Sequence, residues 1–255
     1  MAKVIGIDLG TTFSAIASLD DLGNPEVLAS IEDNRKITAS AIYIEGKNVI
    51  VGDKALNYIK DEPKKVILQT KREMENDVVY SIDQGKWTND NDLVDAYTPA
   101  QVSALILKKL KDYTTDVKKA VITVPAMFAE KARQATLDAA KMADIEVIEL
   151  INEPTAAVLH YASLPGVEVG GRVMIFDLGG GTFDVTFAEV KNKKVDVLTS
   201  RGDKYLGGKD FDWEIAKLIK KKYFEVHNAE IDIENNKEYV QKSEEIKKIL
   251  SVKNK

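Results

Sequence analysis

The stretch IDLGTTFSAIA at residues 7–17 is echoed by FDLGGGTFDVTFA at residues 176–188. In each, an apolar run ends at an acid, Asp8 or Asp177, and a glycine-containing turn leads into a segment of alternating character. Alternation with a period of two is typical of a β-strand, and a short glycine turn between two strands indicates a hairpin. The chain therefore carries the same predicted β-hairpin twice, which predicts a duplicated fold.

The segments around the two hairpins follow a similar order, with strands first and helices later. The first half begins with predicted strands at 4–9, 14–19 and 26–31, followed by a hairpin at 41–51 and helical spacing at about 53–72. A helix capped by Thr98 and opened by Pro99 comes next. The pattern then alternates, with a strand at 120–124, a helix at 130–143, a strand at 146–151 and a helix opened by Asn152, Glu153 and Pro154. In the second half it predicts strands at 172–178, 183–190 and 194–200 and helices at about 210–224 and 238–250. This succession indicates an α/β fold.

Two lobes follow from this pattern. Residues 163–172, with three glycines and a proline, are the clearest linker. We therefore predict a first lobe at 1–167, with an insertion at about 35–95, and a second lobe at 168–255. The second half has fewer strand–helix steps than the first, so we expect the second lobe to be incomplete and to leave apolar faces uncovered, which favours self-association.

Composition excludes several classes of protein. The 255 residues are 44% hydrophobic and 30% charged, and no apolar run is long enough for a membrane span or a secretory signal, so we expect a cytoplasmic protein without membrane contact. A net charge of −5, with basic runs such as 220–222 inside an amphipathic helical pattern, argues against a nucleic-acid partner. The chain has no cysteine and two distant histidines, His160 and His227, which excludes thiolate metal sites and favours no histidine site.

The glycine turns are typical of phosphate binding, but not of the two commonest motifs. A Walker loop is absent, and the glycines at 179–181 precede a predicted strand, whereas a dinucleotide fingerprint precedes a helix. Glycine at a hairpin tip allows positive φ and close approach, so that N–H groups can gather around an anion. A single such turn is more often a plain strand end, whereas two copies at matching positions favour a clamp with Mg²⁺ between the phosphates and Asp8 and Asp177.

These residues resemble the nucleotide-binding domain of the seventy-kilodalton heat-shock chaperone family, DnaK type. The resemblance rests on IDLGTTFS (7–14), VITVPAMF (121–128), RQATLDAA (133–140), INEPTAAV (151–158), FDLGGGTFDV (176–185) and GDKYLGGKDFD (202–212), in the family's order. It implies an actin-like ATPase fold, which is a duplicated ribonuclease-H-like fold, with the second lobe incomplete here. It also implies binding of ATP or ADP with Mg²⁺, with K⁺ nearby.

The resemblance assigns roles to individual residues. It implies that the catalytic residues are Lys71, which reaches the phosphate, Glu153, Thr182 and Asp184, which lie near the attacking water, and Asp177. Asp8 and Asp177 would organise Mg²⁺ through its waters. The nucleotide-binding positions are Gly10, Thr11, Thr12, Phe13, Gly179, Gly180, Gly181, Thr182, Gly207 and Gly208 in the loops and Glu244, Lys247, Lys248 and Ser251 around the adenosine. Without the resemblance, the local sequence indicates that Lys71 is a surface lysine and that Glu153 belongs to the Asn-Glu-Pro signal that begins a helix.

The chain departs from the family's pattern at several positions. Met127 stands where the family has Tyr, Lys248 where it has Arg, and Tyr205 and Lys209 where it has His and an acid. We expect slower or differently ordered hydrolysis from the first change and a local effect from the last two. About a hundred further residues of the family's domain, the linker and the peptide-binding domain have no counterpart here.

In the full-length family the nucleotide state is relayed through residues such as Pro125 and Arg133 to a peptide-binding domain, and the partners are a J-domain protein, an exchange factor and unfolded peptide. Three other functions remain open at this point. The chain is alternatively a nucleotide-incompetent interaction module, a small-molecule kinase of the same superfamily, or a filament-forming relative of actin. Nucleotide binding, sugar-stimulated turnover and ATP-dependent pelleting discriminate among them.

Overall fold

A computed structural model describes residues 3–90, 93–115, 117–167, 170–191, 194–233 and 237–252. The strands are β1 (Lys3–Asp8), β2 (Phe13–Leu19), β3 (Pro25–Val27), β4 (Thr38–Ala39), β5 (Ala41–Glu45), β6 (Asn48–Val51), β7 (Val66–Leu68), β8 (Val79–Ser81), β9 (Lys86–Thr88), β10 (Ala96–Tyr97), β11 (Val117–Val124), β12 (Glu146–Asn152), β13 (Gly171–Leu178), β14 (Phe183–Lys191) and β15 (Lys194–Asp203). The helices are α1 (Asp53–Leu56), α2 (Pro99–Lys111), α3 (Glu130–Met142), α4 (Glu153–Ser163), α5 (Gly208–His227) and α6 (Lys237–Val252).

The first lobe is built on a mixed sheet in the order β12-β11-β1-β2-β3, and β4 pairs with β2. β1 is parallel to β11 and antiparallel to β2, so the first predicted hairpin is confirmed. Ile5 and Ile7 of β1 are buried in the main core, together with one face of α2. As predicted, Thr98 caps α2 in a capping box and Pro99 opens it.

The insertion contains two small sheets, in the orders β6-β5-β7 and β10-β8-β9. The predicted hairpin at 41–51 is confirmed, but the helical spacing predicted for about 53–72 is wrong. α1 ends at Leu56, and Val66 and Ile67 are fully buried in a strand that pairs with β5. The β-branched residues gain more from cross-strand packing there than from a helix that Pro63 interrupts.

The third predicted strand is shorter than expected. β3 ends at Val27, whereas the sequence pattern extends the strand to Ile31. The Ser30 hydroxyl accepts the N–H of Glu32, and the N–H of Ser30 bonds to the carbonyl of Arg35. These local bonds turn the chain away from the sheet, because a serine side chain competes with ladder hydrogen bonds.

The second lobe contains an antiparallel meander in the order β13-β14-β15, which confirms the second predicted hairpin. α4 packs on this sheet, and α5 packs on α6. One face of the sheet is exposed, as Met174, Phe176 and Leu178 on β13 show. The lobe boundary at 167/168 remains a prediction, since residues 168 and 169 of the linker lie outside the described residues. Within the described ranges no helix has the length and apolar character to cross a membrane.

Candidate functional site

The turns of the two hairpins lie in direct contact. Residues 9–12 join β1 to β2, and residues 179–182 join β13 to β14. A Cβ atom added to Gly180 would collide with the Thr12 side chain, and one added to Gly181 would lie against the Thr11 side chain, within 3.0 Å of its Cβ. The structure therefore brings together the two glycine turns that the sequence predicted to face each other.

Close approach explains three of the four glycines in the two turns, and none of the four has a positive φ. Glycine at a hairpin tip allows a positive φ, but Gly10 and Gly179 to Gly181 do not adopt one. A Cβ on Gly10 would instead collide with the carbonyl oxygen of Phe13 in the same turn. Gly10, Gly180 and Gly181 thus leave no room for a Cβ, whereas a Cβ on Gly179 would meet only ordinary contacts, the nearest at 3.5 Å.

The start of α5 supports the second turn from behind. The N–H groups of Gly208 and Lys209 donate to the carbonyls of Gly179 and Gly180, both at 3.0 Å. A Cβ on Gly207 would lie 2.6 Å from the backbone of Gly180. The predicted binding glycines at 207 and 208 therefore hold the second turn in place, which a bulkier residue at Gly207 would prevent.

Three carboxylates surround the two turns. Asp8, at the end of β1, accepts a hydrogen bond of 2.8 Å from the Thr123 hydroxyl of β11. Asp177 and Asp184 lie directly opposite each other in the β13–β14 ladder. Like charges at opposed positions of an antiparallel pair destabilise it, so this arrangement favours a cation or a proton between them.

Burial adds to the cost of a negative charge on Asp184. Its side chain is 2% exposed, and its Oδ1 has no hydrogen-bond partner among the described residues. Burial raises the pKa of both Asp177 and Asp184, and the charge of Asp177 raises the pKa of Asp184 further. In the described ranges no three His, Asp or Glu side chains converge as direct metal ligands. The opposed carboxylates and the unpaired Oδ1 of Asp184 could accept hydrogen bonds from the waters of a hydrated cation such as Mg²⁺.

Lys71 and Glu153 form an ion pair at the same site. Their side chains are 7% and 16% exposed, and the Lys71 ammonium lies 5.9 Å from the centre of the Phe128 ring. Burial raises the pKa of Glu153, and repulsion from Asp8 and Asp177 adds to this, whereas Lys71 opposes it. The local sequence indicated a surface lysine and a helix-start residue, but the fold buries both side chains near Asp8 and Asp177.

Arg72 is a site residue that the sequence analysis missed. Its Nε donates to the carbonyl of Gly181 at 2.8 Å, and its two terminal nitrogens bind the Asp210 carboxylate. A second ion pair, between Glu75 and Lys204, also crosses from the insertion to the second lobe. No sequence signal distinguishes these charges from surface ones, because their partners lie more than 100 positions away.

The predicted adenosine-contacting residues of α6 divide into two groups. The Lys247 ammonium lies 2.8 Å from the carbonyl of Gly208 and 2.7 Å from Asp212, so it reaches the support of the second turn. Glu244 and Lys248 pair with each other along the helix, and the Ser251 hydroxyl bonds to a carbonyl of its own helix. Only Lys247 of these four is thus joined to the turns.

Arg133, predicted as a relay residue, connects two parts of the site. It donates to the carbonyl of Phe128 at 3.1 Å and to the Asn152 side chain at 2.7 Å. Phe128 in turn donates its N–H to the carbonyl of Pro125. Since Asn152 directly precedes Glu153, Arg133 fixes the loop of VPAMF against the start of α4.

The unusual residues at 127, 205 and 209 differ in their surroundings. Met127 and Tyr205 are exposed. Lys209 is partly buried beside Arg72, and burial together with the Arg72 charge lowers its pKa to about 8. The substitution at 209 therefore changes the charge next to the second turn.

Comparison with known proteins agrees with the arrangement of these motifs. The family model described as Hsp70 protein matches residues 4–255. The chaperone protein DnaK of Mycoplasmopsis agalactiae is 41% identical over 248 residues, which cover 93% of this chain and 38% of the relative. The chaperone protein DnaK of Thermotoga petrophila is 36% identical over 247 residues, covering 94% of this chain and 39% of the relative.

The chain thus spans less than two fifths of the length of these curated relatives. The match nevertheless extends over nearly every residue from the first hairpin to α6. The mixed α/β architecture with its two hairpins accords with the actin-like ATPase fold of that family. The chain therefore belongs to the Hsp70 protein family.

Proposed function

We propose that this chain binds Mg²⁺–ATP between its two hairpin turns and hydrolyses it slowly, as the nucleotide-binding module of a DnaK-type chaperone. The observation that carries this proposal is the contact of residues 11 and 12 with residues 180 and 181. Two glycine turns that touch, each next to a strand-ending acid, are suited to a polyphosphate, because the N–H groups of such turns can bind an anion. ADP occupies the same site after hydrolysis.

In this proposal the carboxylates hold a metal ion next to the phosphates. Asp8 and Asp177 would hold Mg²⁺ through its waters, and Asp184 would add a further acceptor, with K⁺ as a second counter-ion. Bound Mg²⁺ supplies positive charge to the phosphate oxygens. It also removes the repulsion between the opposed side chains of Asp177 and Asp184, so that metal binding stabilises the second hairpin.

Lys71 and Glu153 would act on the transferred phosphate and on the water. The ammonium of Lys71 stabilises negative charge on the γ-phosphate oxygens, which is the principal requirement for phosphoryl transfer. Glu153, whose pKa is raised by burial, orients the attacking water with Thr182 and Asp184 and accepts its proton. When Lys71 turns towards phosphate, Glu153 loses its cation and becomes a stronger base for this proton.

The remaining roles concern the nucleoside and the whole protein. In this proposal Phe13 borders the first turn, Lys247 connects α6 to the second turn, and Glu244, Lys248 and Ser251 contact the base and ribose. Arg133, which joins Phe128 to Asn152, transmits the nucleotide state towards a peptide-binding domain. Unfolded peptide, a J-domain protein and an exchange factor are then the partners, in the cytoplasm.

The experiment is a phosphate-release assay on the folded chain with Mg²⁺–ATP. We expect slow turnover that Lys71→Ala reduces by about 100-fold or more, as for the loss of one charge-stabilising donor. The matched control is Lys119→Ala, which removes a lysine from an exposed ion pair with Glu146. Equal turnover in Lys71→Ala and the control would contradict the assigned role of Lys71.

One observation favours a second function, that of an interaction module that binds no nucleotide. The exposed apolar side chains of β13, α5 and α6 offer a surface for another protein. A chain that is folded by circular dichroism and shows no calorimetric signal with Mg²⁺–ATP would support this second function over the first. The matched relatives are chaperone proteins, and they lend no support to the kinase or the filament protein.

A further inference from the structure

One short helix of the insertion carries two side chains that reach different parts of the site. Residues Thr70–Glu73 form a 3-10 helix, in which neighbouring side chains point about 120° apart. The Lys71 side chain thus pairs with Glu153 in the first lobe, whereas Arg72 donates to the carbonyl of Gly181 in the second. Both side chains are 7% exposed. The position of this 70–73 helix therefore sets the distance between the Lys71 ammonium and the second glycine turn.

The 70–73 helix is fixed to the rest of the first lobe. Thr70 and Met74 at its two ends are each 3% exposed, and the Ser103 hydroxyl of α2 donates to the Met74 sulfur at 3.4 Å. Gln69, directly before the helix, has a φ of 61° in the left-handed region. A non-glycine residue persists in such a conformation only where the surrounding structure holds it there. The helix is therefore a firm base for the two side chains that it directs into the site.

Arg72 holds two parts of the second lobe with one planar group. Its Nε donates to the Gly181 carbonyl at 2.8 Å, and its terminal nitrogens donate to the two carboxylate oxygens of Asp210. The Asp210 carboxylate also accepts the N–H of Gly207 at 2.7 Å, where α5 begins. A lysine ammonium is a point charge and cannot reproduce this fork. The guanidinium thus joins the second glycine turn to the helix start that supports it.

A second contact of the same segment crosses to the second lobe. Glu75 pairs with Lys204 and also accepts the N–H of Ala129 at 3.3 Å, where α3 begins. The Lys204 side chain is 48% exposed, and exposed ion pairs contribute little to stability. The buried fork of Arg72 is therefore the firmer of the two links, and Glu75 adds to it by tying residue 204 to the first lobe.

We infer that Arg72 is a positioning residue for hydrolysis, which seats the second glycine turn at a fixed distance from Lys71. Gly181, whose carbonyl Arg72 holds, directly precedes Thr182, and the proposed function, on which this inference rests, places Thr182 beside the attacking water. A misplacement near 1 Å of an oriented group lowers a reaction rate by about 100-fold. The start of α5 still supports the turn when Arg72 is lost, so binding of the nucleotide should suffer less than its hydrolysis.

The first test compares single-turnover hydrolysis with the affinity for Mg²⁺–ATP in the wild-type chain, Arg72→Ala and Arg72→Lys. We expect Arg72→Ala to slow hydrolysis by about 100-fold and to weaken binding by no more than about fivefold, which marks an interaction that acts in the transition state. Arg72→Lys should be as slow, because the fork is lost. The control is Arg35→Ala, at an exposed ion pair with Asp53. Equal losses of rate and affinity, or wild-type hydrolysis by Arg72→Lys, would overturn the inference.

Hydrogen exchange of the nucleotide-free chain tests the positioning role separately from the proposed function. The amides of Gly208 and Lys209 donate to carbonyls of the second glycine turn, so their exchange reports whether this turn is held. In Arg72→Ala we expect them to exchange at least about tenfold faster, a larger change than that of the amides in α2, which lies in the main core.

Exchange that is unchanged, or that is accelerated equally in both places, would overturn the inference even if the wild-type chain hydrolyses ATP. If the folded wild-type chain does not bind Mg²⁺–ATP, the proposed function fails, and the exchange result alone decides whether Arg72 positions the turn.

Discussion

The two hairpins have the same length of turn but a different residue opposite the acid. Asp8 lies opposite Ala15 in the first ladder, whereas Asp177 lies opposite Asp184 in the second. Both partners follow their acid by seven positions. The duplication therefore provides two similar cradles, and the second alone adds a third carboxylate with a raised pKa. The difference indicates that charge for a cation is concentrated in the second hairpin.

The surroundings of the two hairpins differ as well. Ile5 and Ile7 of β1 are 1% exposed inside a sheet covered by helices, whereas Phe176 of β13 is largely exposed at a sheet edge. A strand with few buried apolar contacts opens at lower free energy than a strand in the core. In this chain β1 is therefore the more firmly packed of the two strands.

The largest effect is expected where the two hairpins touch. Gly180→Ala would place a methyl group on the Thr12 side chain and force the turns apart. We expect it to weaken the binding of Mg²⁺–ATP by at least about 100-fold, since a shift near 1 Å costs that much in an oriented site. Gly170→Ala is the control, because an added Cβ there meets nothing within 4 Å. Unchanged affinity in Gly180→Ala by calorimetry would show that the turns do not share a ligand.

The next effect concerns the connection between the hairpins through Arg72. Its side chain is 7% exposed and binds both Gly181 and Asp210. We expect Arg72→Ala to lower the free energy of unfolding by about 2 kcal/mol in urea titrations, because it leaves a partly buried carboxylate unpaired. A double-mutant cycle with Asp210→Asn should then show non-additive losses. Additive losses would mean that this pair does not join the lobes.

The opposed acids of the second hairpin predict that the stability of the chain depends on pH. The pKa of Asp184 is raised in the folded state, so the folded chain binds its proton before the unfolded chain does as pH falls. The unfavourable contribution of Asp184 is therefore full at neutral pH and is lost as pH falls through the raised folded pKa. In a chelator, Asp184→Asn should raise the free energy of unfolding at pH 7.5, and this gain should shrink towards pH 4.

The control for this pH profile is Asp196→Asn, at an exposed position of β15 in the same sheet. Asp196→Asn removes a carboxylate from the same sheet without touching the opposed pair, so the difference between the two variants reports on Asp177 and Asp184. Because other acids in the chain have lowered pKa values, such as Glu32 with a pKa of about 2, the comparison is the difference between variant and wild type. A gain from Asp184→Asn that is the same at pH 7.5 and pH 4 would contradict the account of the opposed pair.

The smallest effect is expected at the exposed link between the lobes. The Lys204 side chain is 48% exposed and pairs with Glu75. We expect Lys204→Ala to lower the free energy of unfolding by at most about 0.5 kcal/mol, as for other exposed ion pairs. The loss should vanish at high salt in the same urea titration. A loss as large as that of Arg72→Ala would mean that the exposed pair also holds the lobes together.

Much of the fold was predictable because local chemistry and tertiary packing agree. Three local signals each specified an element without distant contacts. They are the apolar–polar alternation of the strands at the DLG turns, the Thr98 cap of α2 and Pro154 at the start of α4. The prediction was wrong at 53–72, where residues 66 and 67 pair with a strand more than twenty positions earlier. Periodicity over a short apolar run does not distinguish a helix from a buried strand.

The site was less accessible to sequence analysis than the fold. The paired turns and the acids Asp8 and Asp177 came from a repeated pattern, but Lys71 and Glu153 came from family resemblance alone. Arg72 was missed, because its role depends on Asp210, which is 138 positions away. The function of these charged side chains depends on their burial and their partners, and the local sequence specifies neither.

The most direct test of the central claim is calorimetric titration of Mg²⁺–ATP into the wild-type chain, Asp8→Asn, Asp177→Asn and the double variant. If both hairpins hold one nucleotide, the stoichiometry is one ATP per chain, each single variant weakens binding, and the double variant falls short of the additive loss because the acids share one cation. A folded wild-type chain without binding, or a variant of either acid that binds as tightly as wild type, would contradict the account.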